Sequence, residues 1–465
     1  MKKTRYVTMG ILTFLLFSMV SCKVSNKIEV SIGMWPDTAS AKDVNMFKNW
    51  KMRFEKDHPE YEIIGQNYEY SRDTIFGSSA AHNLPTVFQT WFTEPAMLVE
   101  NNIIREITPQ LDALGWSDKM DLYMKDIVEI NDKMYGIPRD GYALGMFINL
   151  KLMYDYEILP DENNDKLGDL YDSEGNPLYP QTFEDLEKIG EQLSEIGDVK
   201  PIFILSANKN GGWQFTNIAW NFGAELQVQD NEGKYHSNLN SPEVIEAMEW
   251  IREMKSNDYL LKSATTNYFE WYSKVGEQTS SAFVGSDQIS LAVINGGLEK
   301  EEIAFVPMPK GPRGDQYSLF GGTPFVFSKD ASDAEVKGAL LFLEYMGRSP
   351  ETSEASRLAL KEGNETAKQK GQPILPTIKA WVDADYLQMA NDIEEEYVNV
   401  NMDNFKDFFN TIDTLKKPEY PNCSQEMYEF LDAVIQAVLL NPDTVNVSSQ
   451  LISQHNKLED KLSKL

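Results

Sequence analysis

The stretch from Lys133 to Met153, KMYGIPRDGYALGMFINLKLM, limits the possible folds of this chain more than any other. Pro138 has no N–H to donate and pushes Ile137 toward extended geometry, while Gly136 lets the backbone turn, so Tyr135 to Pro138 cannot lie inside a helix. After the polar Arg139-Asp140-Gly141 comes the continuously apolar run Ala143 to Ile148. A run that short and apolar reads as a strand covered on both faces, as in a parallel α/β sheet. The segment predicts a turn, a crossing and a buried strand in direct succession.

With 465 residues, 42% of them hydrophobic, the chain can bury two cores of ordinary size but not one. Its 72 acidic residues against 43 lysines and arginines give a formal charge of −29, which opposes a phosphate backbone and predicts no nucleic-acid partner. Lys2, Lys3 and Arg5 precede an apolar run from Tyr6 to Val20. As a helix that run reaches only about 22 Å, short of the roughly 30 Å hydrocarbon core, so residues 1–21 read as an export signal rather than a stable span. Of the two cysteines, Cys22 ends this segment and Cys423 has no partner for a disulfide.

Further along, Ile28, Val30, Ile32 and Met34 alternate with Glu29, Ser31 and Gly33, the period of a strand, and Trp35-Pro36-Asp37 follows at its exit. In open α/β sheets ligands bind beyond the carboxyl ends of strands, which puts this tryptophan and carboxylate where a site belongs. Met46, Phe47, Trp50 and Phe54 share a helix face that stops before His58-Pro59. Pro85 to Trp91 repeats the plan, a short strand with a tryptophan at its exit, and Pro201 to Leu205 reads as another buried strand. Thr182 with Asp185, and Ser332 with Glu335, are capping boxes that predict helix starts.

The Tyr-Gly-Ile-Pro turn and the apolar strand ending in Asn149-Leu150-Lys151 resemble the first interlobe crossing of the maltose-binding-protein-like solute-binding proteins of bacterial ABC importers. Asn102 to Ile107, the small-residue strand Ser281 to Gly285, Ile303 to Val306 followed by Pro309-Lys310-Gly311-Pro312, and Phe320 to Thr323 as a second crossing continue the resemblance in order. Asp287 departs from it, standing where the family usually has tryptophan. The resemblance implies a two-lobed α/β fold of the periplasmic-binding-protein type, with a hinge of crossing segments and a ligand cleft between lobes. Residues 28–140 with 323–375 would form the N-terminal lobe, and 141–322 with 376–465 the C-terminal lobe. Ser18 to Cys22 resembles a lipobox, which implies that Cys22 is lipidated and that residues 22–27 tether an exported, monomeric protein to the outer side of the cell membrane. The implied function is capture of a carbohydrate, an oligosaccharide or glycoside, by hinge closure and its delivery to a membrane permease, with no cofactor and no catalysis.

Sugars explain which residues to weigh. A pyranose offers C–H faces to aromatic rings, and its hydroxyls need carboxylate, amide and backbone partners. Trp35, Trp91 and Trp213 follow strand exits, and Trp213 matches the family's stacking aromatic, although Trp35 and Trp91 also suit a core. Asp37, Gln89, Arg139, Tyr142, Asn221, Ser286 and Asp287 are the candidate polar partners, and Gly321 and Gly322 offer backbone N–H groups or hinge freedom. Trp50, Trp220, Trp250 and Trp271 fall in helical patterns and read as packing. The four histidines have no metal-ligand spacing, and no zinc-protease, P-loop or Gly-x-Ser-x-Gly motif occurs. Asp161, Asn163, Asp165 and Asp172 take positions one, three, five and twelve of a calcium loop, but Lys166 replaces its glycine, so 161–180 reads as an acidic surface hairpin with no metal. The competing readings are a secreted carbohydrate-active enzyme working with cleft carboxylates, and a sugar-sensing lobe for a membrane receptor.

Overall fold

The computed structural model describes residues 27–465; the expected export signal and Cys22 lie outside the described residues. Eight strands form one mixed sheet: β1 (Ile28–Ile32), β2 (Tyr61–Gly65), β3 (Val87–Gln89), β4 (Gly136–Asn149), β5 (Ser281–Gly285), β6 (Ile303–Val306), β7 (Ser318–Phe327) and β8 (Lys416–Pro418). The order is β6–β4–β7–β3–β1–β2, with β5 also paired to β4 and β8 to β7. At one end β1 runs parallel to β2 and to β3. Between β1 and β2 the helix α1 (Ala41–Asp57) buries Trp50 and Phe54 as its apolar spacing predicts, and Phe54 meets Phe342 and Tyr345 edge-on at 5.3 and 5.4 Å.

The crossing is a fourteen-residue strand. The first half of β4 pairs with β7, and its second half with β5 and β6, so one strand runs through both parts of the sheet. Ala143 to Leu150 is buried throughout, as the apolar run predicts, but every ladder of β4 is antiparallel rather than parallel. An unbroken apolar run reports that both faces are covered; it carries no information about strand direction. The second crossing, β7, returns against the first, with a register shift between Thr323 and Pro324. Pro324 has no N–H for the ladder, and a bulge is where a sheet tolerates it. A third short strand, β8, lies parallel to β7 within a stretch whose sequence reads as acidic helices.

Two large cores flank this seam. One gathers Val30, Ile32, Phe54, Trp116, Val336 and Leu340, and the other gathers Leu144, Ile148, Phe215, Trp220, Phe283 and Leu431. A third cluster containing Phe92, Met124, Phe147, Phe305, Phe320 and Phe408 lies beside the crossing strands. Helix α2 (Asn210–Asn221) and helix α5 (Ser424–Leu440) belong to the second core, and helix α3 (Asp333–Tyr345) to the first. Both expected capping boxes are present. Helix α4 (Ala384–Tyr397) buries Tyr386, Met389, Ala390, Ile393 and Tyr397 in the first core together with Trp381, which moves that packing unit past the boundary expected at 375. The spacing of those five residues makes one helical face, but a face does not name its partner.

Pro201 to Leu205 is buried but makes only the isolated bridge Phe203 to Ala282, so it is not the strand its sequence predicts. In the 161–180 insertion, Leu178 N–H donates to Leu170 O and Asp172 N–H to Asn176 O, a minimal hairpin. The Asp172 carboxylate caps that turn, while Asp161 accepts the N–H groups of Asp165 and Lys166 in a separate one. Among the described residues no group of acids, histidines or cysteines is placed to hold a metal ion, and no helix is long and apolar enough to cross a membrane.

Candidate functional site

The first-lobe wall of the cleft is built from strand exits. Beyond β1, Trp35 donates its backbone N–H to Gln66 O, and its indole lies over Gly65 so closely that a Cβ there would come within 2.2 Å of the ring. Phe47 meets Trp35 edge-on at 5.3 Å. Beyond β3, Trp91 keeps 43% of its surface exposed and touches Tyr70 edge-on at 5.1 Å. Arg139 donates from Nη1 to Gln89 Oε1 at 3.1 Å and from Nε to Asp140 Oδ2 at 2.6 Å, and Nη2 pairs with the same oxygen. Trp35, Gln89, Trp91 and Arg139 line one cavity of about 640 Å³. Trp50 lines it too, with its indole N–H given to Glu362 at 2.7 Å.

A second cavity of about 480 Å³ shares Met46, Trp50, Arg139, Met346 and Arg348 with the first and is completed by Ser286, Asp287 and Gln288 from the other lobe. Ser286 Oγ accepts the Ala143 N–H at 3.2 Å, and Gln288 donates to Asp287 at 2.7 Å. Burial, reinforced by the charge of Asp140, pushes the Asp287 carboxyl up to about 6.

Trp213 and Tyr142 line neither cavity; Trp213 is packed edge-on between Tyr142 (6.0 Å) and Tyr268 (5.7 Å). Asp287, Tyr142 and Tyr268 converge around Gly285, where a Cβ would meet all three. Behind this cluster Glu419 accepts from Tyr142 Oη at 3.1 Å and from Tyr428 Oη at 2.5 Å, and burial drives its carboxyl up to about 7. The flank of the cleft is bridged: Arg72 pairs with Glu426 of α5 at 2.9 Å, and Gln425 donates to Thr93 at 3.0 Å.

Four further residues expected at the site line neither cavity. Asn221 is fully buried; its side chain accepts the Tyr317 N–H and donates to Tyr317 O, and Asn217, one turn earlier, donates to the same carbonyl. Two asparagines four apart on α2 thus hold the approach to β7 rather than a ligand. Asp37 is exposed, lines neither cavity and accepts the Ala39 N–H in a local turn. Gly321 and Gly322 lie inside β7, opposite Tyr142 and Gly141, with their backbone in the ladder. Their lack of a side chain makes room for others: a Cβ would come within 2.5 Å of Tyr142 Oη at Gly321, and within 2.8 Å of Met124 Cε at Gly322.

Arg348, Tyr268 and Glu419 escaped sequence reasoning. Only Arg348 had a local signal, since it follows the Gly347 that ends α3.

The fold matches many solved structures. The ABC substrate-binding protein Lmo0181 from Listeria monocytogenes, in complex with cycloalternan, superposes with a TM-score of 0.68 at 12% identity, over 94% of this chain and 99% of that one. The GacH receptor of Streptomyces glaucescens, solved unliganded and with acarbose, gives 0.67 at 13% identity, covering 94% and 98% of the two chains. Maltose-bound MalE3 from T. maritima gives 0.61 at 17% identity, covering 93% and 99%. All are two-lobed binding proteins, and the likeness fixes the fold. No curated protein sequence matches the chain. The family model described as bacterial extracellular solute-binding protein matches residues 49–361, and with two-thirds of its length covered the chain belongs to that family.

Proposed function

We propose that the protein captures a carbohydrate, an oligosaccharide or glycoside, between its lobes and hands it to the permease of an ABC importer. The observation that carries this reading is the pairing of aromatic faces with polar groups in two adjoining cavities: Trp35 and Trp91 with Gln89 and Arg139 in the first, and Trp50 with Arg139, Ser286 and Asp287 in the second. Rings of this kind suit C–H faces, and the amide, guanidinium and carboxylate groups suit hydroxyls. The structural neighbours named with cycloalternan, acarbose and maltose support the same cargo class.

Closure follows from the crossings. Sugar contacting both walls favours the closed arrangement only by the affinity it gains there over the open one, and β4, β7 and β8 are the segments that bend. The mature chain is exported and held on the outer side of the cell membrane by lipid on Cys22, as a monomer that carries no cofactor. Incorporation of labelled fatty acid that is lost in Cys22→Ser tests the anchor.

The decisive experiment is a tryptophan-fluorescence titration of residues 23–465 with mono- and oligosaccharides, each recovered and analysed afterwards. Saturable binding with intact sugar is expected. One feature favours a second reading: Asp287, raised to about 6, lines the second cavity together with Asp140, and a glycoside hydrolase works with such a pair of carboxyls, one of them raised to serve as the acid. Cleaved sugar would establish that reading; no binding to any sugar would overturn both.

A further inference from the structure

In a chain this acidic, arginines find carboxylates readily. Of the eight arginines among the described residues, six hold an ion pair: Arg53, Arg72, Arg105, Arg139, Arg252 and Arg313. Arg348 and Arg357 hold none, and of these two only Arg348 lines the cleft.

Its placement is rigid. Helix α3 ends at Tyr345 with Met346 as its cap, Gly347 takes a left-handed φ of 68°, and the Arg348 N–H folds back to Leu343 O at 2.8 Å. This Schellman-like end aims the next side chain away from the helix. The guanidinium makes no side-chain hydrogen bond among the described residues and borders both cavities, beside Trp50 and Met346. Four of the acids lining these cavities are engaged elsewhere: Asp140 by Arg139, Glu394 by Lys379 at 2.5 Å, Asp43 by Lys370 at 3.0 Å, while Asp287 accepts from Gln288; the fifth, Glu69, lines only the first cavity and makes no ion pair with Arg348. Burial first, and then the neighbouring Arg139 charge, lower the Arg348 guanidinium from its ordinary value, whereas the arginines paired with Glu362, Glu426, Glu249 and Glu246 are raised.

A partly buried guanidinium without an anion is unfavourable, and its planar fork of donors matches an oxyanion of two or three oxygens. We infer that the cargo carries an anionic group, a carboxylate or a sulfate or phosphate ester on the saccharide, and that Arg348 receives it. The inference rests on the carbohydrate reading above and narrows it: the sugar rings lie along the tryptophans while the acid meets Arg348 at the junction of the two cavities.

The test titrates residues 23–465 with three arms: oligouronides of glucuronic, galacturonic and mannuronic acid; sulfated and phosphorylated oligosaccharides; and neutral gluco-, galacto- and manno-oligosaccharides. A member of an acidic arm is expected to bind at least about tenfold tighter than its neutral counterpart, weakening as salt is added. The arm that binds tells carboxylate from ester. Arg348→Gln is expected to cost that ligand about 10–100-fold in affinity, and Arg348→Lys less, the range for a hydrogen bond to a charged group. Neutral sugars binding as tightly as acidic ones, or acidic binding indifferent to Arg348→Gln, overturns the inference and leaves the carbohydrate reading standing. Silence in all three arms overturns both. Should Arg348→Gln fail to fold, the acidic-to-neutral ratio and its salt dependence in the unsubstituted protein decide.

Discussion

Trp91 and Trp213 both follow a segment that runs out toward the cleft, yet the two walls use them differently. Trp91 is anchored by one edge contact with Tyr70 and leaves nearly half its surface open. Trp213 is clasped by Tyr142 and Tyr268 and packs against both the second core and the cluster beside the crossing strands. The same division holds for the amides. Gln89 accepts from Arg139 inside a cavity, whereas Asn221 is spent on the backbone of Tyr317. The first-lobe wall keeps its aromatic and polar groups available, and the second-lobe wall commits more of them to its own architecture.

The sharpest test of this contrast is Asn221→Ala. Removing this buried side chain orphans the Tyr317 N–H, while the Tyr317 carbonyl keeps its bond from Asn217, and is expected to cost about 2–3 kcal/mol in urea unfolding. Sugar affinity in the folded fraction should not change. Unaltered stability with lost binding would return Asn221 to the ligand site and break the comparison.

Next in size is the pH response behind the second wall. Glu419 has a folded pKa of about 7 against an ordinary 4.5, so the native state holds its proton longer than the unfolded chain. Its contribution is undiminished below pH 4.5, declines as pH rises, and the decline is complete above about 7. The stability difference between Glu419→Gln and wild type should therefore move by about 1–3 kcal/mol in favour of the variant across that window. A difference that is flat with pH would mean that Tyr142 and Tyr428 hold an ordinary carboxylate.

Trp91→Ala is expected to weaken sugar binding by about 1–2 kcal/mol in calorimetry, with stability unchanged within about 0.5 kcal/mol. Trp213→Ala should instead lose about 2 kcal/mol or more of stability, because its ring is packed on both edges. Equal effects at the two positions would erase the distinction between the walls.

The smallest effect belongs to the bridge across the flank. The Arg72–Glu426 pair is partly buried and joins the lobes directly, so Arg72→Ala should shift the balance toward the open form by about 0.5–1 kcal/mol. Small-angle scattering without ligand should report a larger radius of gyration. An unchanged radius would assign the lobe arrangement to the crossing strands alone.

Much of the molecule is legible in the chain itself. The apolar run Ala143 to Ile148, the helical face through Trp50 and Phe54, and the two capping boxes are local patterns, set by backbone sterics and by the periodicity of burial, whereas Gly136 to Pro138, which reads as a turn, is extended and paired inside β4. The candidate site was partly legible for the same reason, because residues at strand ends and crossings are placed by the strands: Trp35, Gln89, Trp91, Arg139, Ser286 and Asp287 all line the two cavities. Only tertiary structure decided the rest. The antiparallel pairing of β4, the return of α4 to the first core, the spending of Asn221 on Tyr317 and the placement of Arg348 beside Trp50 depend on neighbours far apart in sequence. A residue's own pattern states that a face will be covered or a donor satisfied; which distant group does the covering is fixed when the lobes assemble.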